Sequence, residues 1–473
     1  MELRVDDDTH TVRSPPMPDL LIHRVSTLYT CNPASHGLGR QHDVSIGFTD
    51  GRISFLGDAE LAEALVGEST TVLDGRGLIL APGLVDCHTH SVWGGSRAGE
   101  FAKRLAGESY IDILEQGGGI LSTVRQTRAA SYEELERGCR LRLEGMLRHG
   151  VTTAEVKSGY GLTVEHELRC LRAARACNGG GVGAGARCPR VVTTFLGAHT
   201  VPPEYRDDRP AYVRQVIHEQ LPRVQAEGLA DCADVFCDRG AFTLAEARDI
   251  LTAGQAAGLR VKAHAEQIQH TGCAQLVAEL GGVSADHLEK LDADGVHALA
   301  QAGVVAVMLP GAQLYLHDAS PPTPALREAG VRMAVATDLN PGSSPVHDLW
   351  AAATLSLITQ GLTVDEAFLG ITRNAALALG RPDLGWLGPE GSGSVADAVL
   401  LAPPPGEPPL IQSVLQHMGG HRTVAVVRNG MLVHDAAGAA HDAVREWKVE
   451  HFAPPLPPSS DDDRAAAADG ARL

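Results

Sequence analysis

The stretch "GLVDCHTHSVWGGSRAGEF" (Gly83 to Phe101) sets two histidines one residue apart behind a short apolar run. On a strand successive side chains alternate faces, so His88 and His90 point the same way and can close on one cation. The pair alone is weak, because the chain holds 21 histidines; its weight comes from residues far along the chain. His264 in "RVKAHAEQ" and Asp338 in "VRMAVATDLNPGS" each follow a short β-branched run. Together His88, His90, His264 and Asp338 offer three nitrogens and one oxygen, a set suited to one zinc or iron ion per chain. Such an ion brings the pKa of water down to about 7, and Asp338 is placed to touch the ion and to accept the proton. Read alone, Asp338 in "TDLNPG" is a turn or capping residue; the histidines are what favour the ligand role.

These residues need a scaffold that gathers distant strand ends. Apolar β-branched runs recur as "GLVDCHTH", "GVTTAEVKSGYG", "RVVTTFLGAHT", "CADVFCDRGAF", "RVKAHAEQ", "GVSADHLE", "GVVAVMLPG" and "VRMAVATDLNPGS". Helix-like segments such as "YEELERGCRLRLEGMLRHG" and Thr243 to Gly258 separate them. Eight β-then-α units predict an α/β protein built on a (β/α)8 TIM-like barrel over residues 82–390. His88, His90, Lys157, His199, His264, His287 and Asp338 all fall at or just past the C-terminal end of a run, the face on which barrels build active sites.

The two chain ends read differently. "DVSIGFTDGRISFLGD" and "TVAVVRNGMLVHD" are alternating runs around Asp-Gly and Asn-Gly, both hairpin turn signals. They predict a small β-sandwich domain made from residues 19–81 and 391–440. Residues 1–18 and about 453–473 read as disordered, the latter within a polar tail, 441–473. "NGGGVGAGARCP" and "APPPGEPPL" read as surface insertions, and Gly117–Gly119 as a flexible loop near the site mouth.

With 473 residues and 44% hydrophobic content the chain can bury a barrel-sized core. A formal net charge of -18 argues against nucleic acid as a partner. It also means that an anionic substrate needs a local cation. The acidic start has neither the basic nor the apolar region of a secretory signal, and no stretch reaches the length of a membrane span, so a cytoplasmic protein is expected. Nine cysteines without a C-x-x-C pair suggest reduced thiols, with Cys87 in the core.

"APGLVDCHTH", the strand ending in His264, "ATDLNPG" and the closing "GSVADAVLL" resemble the amidohydrolase superfamily. "HTHSVWGGSRAGEFAKRLAGESYIDILEQGGGILSTVRQTR", "EVKSGYGLTVEHELRCLR", "FLGAHTVPPEY" and "TDLNPGSSP" narrow the likeness to the imidazolonepropionases, over about residues 20–440. The resemblance implies metal-dependent opening of the ring lactam of 4-imidazolone-5-propanoate to N-formimidoyl-L-glutamate, in histidine breakdown. It implies catalytic roles for Asp338, His264 and His287, the last beside the reacting carbonyl. It implies substrate contacts by Arg97, Tyr160 and His199, and a product-holding loop with Asn340, Gly342 and Ser343. Three residues after His264, where a family carboxylate is expected, stands Gln267; we take its amide as a substrate contact, with the role of Glu266 left open. Lys157 reads as a cation holding a nearby carboxylate, and the resemblance implies a single metal and allows a homodimer. Two other readings compete: an aminohydrolase of a heterocyclic amidine, and a non-catalytic protein on the same scaffold. Arg97, Tyr160 and His199 weigh against the first, and the complete ligand set against the second.

Overall fold

The computed structural model describes residues 17–108, 118–178, 187–389 and 391–436. The tail from 441 lies outside them, as do Gly117 and most of the glycine-rich insertion after Asn178. Of the expected N-terminal extension only Met17 and Pro18 fall inside. Pro18 lies just ahead of the first strand of the terminal sheet, and its carbonyl accepts a hydrogen bond from Thr70 Oγ1 at 2.8 Å.

Eight parallel strands form the predicted barrel. In chain order they are β6 (Leu84–Asp86), β7 (Val151–Lys157), β8 (Arg190–Ala198), β9 (Cys232–Cys237), β10 (Arg260–Ala265), β11 (Ser284–His287), β12 (Val305–Met308) and β13 (Met333–Val335). Nearly all their residues are buried on both faces, as a parallel sheet wrapped by helices requires. The helices present one apolar stripe to that sheet. In Tyr132–Arg148 the buried residues are Leu135, Cys139, Leu143, Met146 and Leu147, at helical spacing, and a Ser131–Glu134 capping box starts the helix. The Leu244–Ala256 helix begins the same way at Thr243 and Glu246.

The ring closes beyond the ends of its first and last strands. Thr89 pairs with Leu339 in a parallel bridge. The His90 N–H donates to Leu339 O at 2.9 Å, and the Asp338 N–H to His88 O at 3.0 Å. The backbone that carries His88, His90 and Asp338 is therefore the seam of the barrel.

The chain ends meet in one mixed eight-stranded sheet. Its strands are β1 (Leu20–Tyr29), β2 (Arg40–Thr49), β3 (Arg52–Asp58), β4 (Thr71–Asp74), β5 (Ile79–Pro82), β14 (Ala398–Ala402), β15 (Arg422–Arg428) and β16 (Met431–Asp435). The path β16-β15-β14-β5-β1-β2-β3 forks at β1, which pairs β4 along its first half and β5 along its second. Ile22, Phe48, Leu73, Leu80, Leu400 and Val427 share one core across both arms. All nine cysteines are buried and none is in a disulfide. No helix among the described residues is long and apolar enough to cross a membrane.

Asp397, in the "GSVADAVLL" stretch, joins sheet and barrel. Its carboxylate accepts from Arg190 Nη1 at 2.8 Å and from the Asn429 N–H at 2.7 Å, while its carbonyl accepts from the Gly83 N–H at 2.9 Å. Gly83 must lack a side chain, since a Cβ there would stand 2.3 Å from Thr152 Oγ1. We predict that Asp397→Ala lowers unfolding stability by about 2 kcal/mol, because the Arg190 guanidinium and the Asn429 N–H lose a buried acceptor. An unchanged urea midpoint would show that this joint carries no stability.

Candidate active site

At the C-terminal end of the barrel three imidazoles converge. His88 is fully buried, and its Nδ1–H donates to Asp286 Oδ2 at 2.6 Å. That turns Nε2 inward, where it has no hydrogen-bond partner. His264 Nδ1–H donates to Asp234 Oδ1 at 3.1 Å, which aims its Nε2 at His90 Nε2, 3.3 Å away. Asp338 Oδ1 lies 3.5 Å from both His88 Nε2 and His90 Nε2. Ring nitrogens of all three histidines lie within 4.8 Å of one another. Burial, reinforced by neighbouring positive groups, pushes His88 and His90 well below the ordinary imidazole range. Burial also lowers His264, against the pull of Asp234. Neutral rings with lone pairs pointing at one spot are the form in which histidine binds a cation, so the group fits a metal ion with three nitrogens and one carboxylate.

Behind this cluster lies a buried set of charges. Lys157 Nζ sits 2.6 Å from Asp234, 2.9 Å from Glu155 and 3.7 Å from Asp286. Lys262 Nζ donates to Cys87 O at 2.8 Å and sits 3.3 Å from Glu155. Burial disfavours the Lys157 charge, but the three carboxylates more than offset it and raise its pKa. His88, Glu155 and Asp286 form a second group of donors close enough for a cation. The two ammonium groups already neutralise its carboxylates, the role expected for Lys157.

A cavity of about 950 Å³ opens in front of the histidines. Its walls include His90, Arg97, Tyr160, His199, His264, Gln267, His287, Asp338, Asn340, Gly342 and Ser343. Every residue singled out from the sequence for catalysis, substrate or metal is among them except His88, which lies behind the wall. His199 stacks on His90 with ring centroids 5.1 Å apart, and its Nδ1–H donates to Gly159 O at 3.0 Å. Burial pulls its pKa down to about 3, so the ring is neutral. Tyr160 packs 5.3 Å from His199 and 5.8 Å from His90. Asn340 Oδ1 accepts the N–H groups of Gly342 and Ser343, both at 2.8 Å, and its Nδ2 donates to Asp338 O at 2.7 Å.

His287 behaves differently from its neighbours. Its ring lies 5.5 Å from that of His264 and 5.8 Å from that of His88. Burial lowers its pKa, but Glu289, whose Oε1 is 3.8 Å from Nδ1, with Asp338 and Asp286 more than offsets this, and the net shift is upward. Asp338 is raised to about 7, chiefly by burial. The cavity thus holds neutral imidazoles, a carboxyl whose pKa burial raises, and an imidazole biased towards its cation.

The backbone answers the question left open at Glu266. The strand ends at Ala265, and Glu266 takes a left-handed φ of 59°. Its carboxylate turns away to accept the Thr271 N–H at 2.8 Å and to meet His270 Nδ1 at 3.0 Å. Gln267 then reaches the cavity. Asp234, Asp286, Glu155 and Glu289 were missed in the sequence reading. The available signal was a charged residue inside an otherwise apolar run, as in "CADVFC" and "TAEVK".

A barrel with this cluster at its C-terminal mouth is the arrangement of a metal-dependent amidohydrolase, and residues 79–433 match the amidohydrolase family. Among solved structures, a zinc-bound adenosine deaminase from Xanthomonas campestris superposes with a TM-score of 0.66 at 18% identity, covering 92% of this chain and 99% of that one. A mutant of atrazine chlorohydrolase from Arthrobacter aurescens TC1, complexed with zinc and atraton, gives a TM-score of 0.62 at 16% identity, covering 88% and 96%. These share the fold. Sequence relatives are nearer: imidazolonepropionase of Acidiphilium cryptum (strain JF-5) is 48% identical over 359 residues, 76% of this chain and 87% of that protein. Imidazolonepropionase of Ectopseudomonas mendocina (strain ymp) is 51% identical over 338 residues, 71% and 82% of the two chains. The chain belongs to the imidazolonepropionase family.

The carboxylate behind His88 gives a direct test. Asp286→Asn removes the charged acceptor that holds Nδ1–H and turns Nε2 inward, so metal affinity should fall by about 10–100-fold. Chelator competition on the folded variant measures it; unaltered affinity would mean that the ring is oriented by packing alone.

Proposed function

We propose that this chain hydrolyses the ring lactam bond of 4-imidazolone-5-propanoate to N-formimidoyl-L-glutamate. The observation that carries the reading is the pairing, in one cavity of an acidic protein, of the His88, His90, His264 and Asp338 cluster with the guanidinium of Arg97. That combination suits a substrate with an amide carbonyl at one end and a carboxylate at the other. One zinc or iron ion is the cofactor that the donor set suits; when bound, it supplies Lewis acidity and lowers the pKa of water.

The chain's own residues have separate tasks. Arg97 binds the propanoate carboxylate, and its planar fork matches that group. Tyr160, His199 and Gln267 contact the ring and keep bulk water from it. Asp338 accepts a proton from the attacking water and passes it to the ring nitrogen as the C–N bond breaks. Burial favours the protonated form of this carboxyl, which helps it to accept the proton. His287 donates a hydrogen bond to the carbonyl oxygen as negative charge grows there, and its cationic bias strengthens that bond. Asn340, Gly342 and Ser343 hold the opened product. The reading takes the enzyme to be cytoplasmic and allows a homodimer, which sedimentation of the purified protein checks.

Purified protein should consume freshly made 4-imidazolone-5-propanoate and release N-formimidoyl-L-glutamate, and a chelator should stop it. Arg97→Ala should raise KM by about tenfold or more with metal content intact, since it removes binding common to ground and transition states. Absence of turnover by metal-loaded protein would sink the reading in favour of an aminohydrolase; metal loss in the arginine variant would overturn the division of roles.

A further inference from the structure

Arg97 is seated in the cavity wall on two sides. Its Nε and Nη2 donate to Glu100 Oε2 at 3.0 and 2.9 Å, and the same oxygen accepts the Gly119 N–H at 3.1 Å. Its other edge lies on Gly342. A Cβ at that glycine would stand 2.1 Å from Arg97 Nη1 and 2.8 Å from Cζ. The three atoms it would meet first all belong to this guanidinium. Gly342 is not among the glycines with left-handed φ, so its backbone conformation does not call for glycine. Space for Arg97 does.

The loop beneath the guanidinium is itself fixed. Asn340 binds the Gly342 and Ser343 N–H groups with its Oδ1 and the Asp338 carbonyl with its Nδ2. One short stretch of chain therefore carries both Asp338 and the surface on which Arg97 rests. We propose that Gly342 is a positioning residue: by lacking a side chain it seats the Arg97 fork against the Asp338 loop and so sets where the substrate carboxylate is held relative to the reacting carbonyl. This rests on the reading of Arg97 as the carboxylate-binding residue. A methyl group at 342 must push the guanidinium away by about 1 Å to regain ordinary contact. Arg97 is the flexible partner, so the fold absorbs the change while the binding geometry does not; a misplacement of about 1 Å can cost up to about 10²-fold in rate.

The test is steady-state kinetics on 4-imidazolone-5-propanoate with metal-loaded full-length wild type, Gly342→Ala, Arg97→Lys, Arg97→Ala and the Arg97→Lys/Gly342→Ala double variant, with metal content and melting midpoint measured on each. Gly342→Ala should keep its metal and its midpoint and lose kcat/KM by about tenfold or more, the loss falling on KM. In the Arg97→Lys background the same change should add little, because a lysine has no fork to rest on the glycine. If Arg97→Ala raises KM and Gly342→Ala does not, the seat is idle and the proposal fails while the carboxylate reading stands. A full loss that persists beside Arg97→Lys, or a fall in metal content or midpoint in Gly342→Ala, also overturns it. An unaltered KM in Arg97→Ala removes the underlying reading and the proposal together.

Discussion

The active site depends on how the barrel closes. Strands β6 and β13 are only three residues each, and the contact that joins their ends is made by the residues just beyond them. His88 and His90 lend their backbone to one side, Asp338 and Leu339 to the other. Asp338 is held there with a left-handed φ of 51°, a conformation costly for a residue with a side chain unless its surroundings impose it. The imposing partners are the His88 carbonyl, which takes the Asp338 N–H, and Asn340, which takes its carbonyl. Asp86 secures the same seam from below by accepting the Thr337 hydroxyl at 2.6 Å. Three of the four candidate ligands thus get their placement from backbone pairing, a more rigid source than side-chain packing.

The second constraint is electrostatic. Taking Asp234, Asp286, Glu155, Lys157 and Lys262 out of water is tolerable only because each charge has an opposite neighbour within about 4 Å. Two of these carboxylates do a further job, since they hold the Nδ1 protons of His264 and His88 and leave Nε2 of each ring facing the histidine–Asp338 cluster. The layer links the orientation of the candidate ligands to barrel packing, since Lys157 touches both Asp234 and Asp286. In front of it stand the imidazoles and, in the cavity wall, the Arg97 guanidinium paired with Glu100.

What could be read from the sequence follows from how local each feature is. The His88 and His90 pair rests on strand alternation alone, and the eight β-α units on hydrophobic periodicity, so both were legible. His264 and Asp338 became legible once the strand ends were aligned on one face. Arg97, Tyr160 and His199 came through family likeness, because each alone is an ordinary residue. The pairing of Lys157 with Asp234 depends on the register between strands that are 77 residues apart in the chain, which no local pattern encodes. The fate of Glu266 turned on a single φ angle, and the fork at β1 on where β4 gives way to β5. The closeness of Gly342 to Arg97 is visible only with the loop in place.

The central claim is that one cluster, built on the barrel seam, holds one ion that the hydrolysis requires. Titrating metal-free protein with zinc or ferrous ion while following the loss of 4-imidazolone-5-propanoate tests it most directly. Activity should rise from nothing and saturate at one ion per chain; turnover without metal, or a requirement for two ions per chain, would contradict the account.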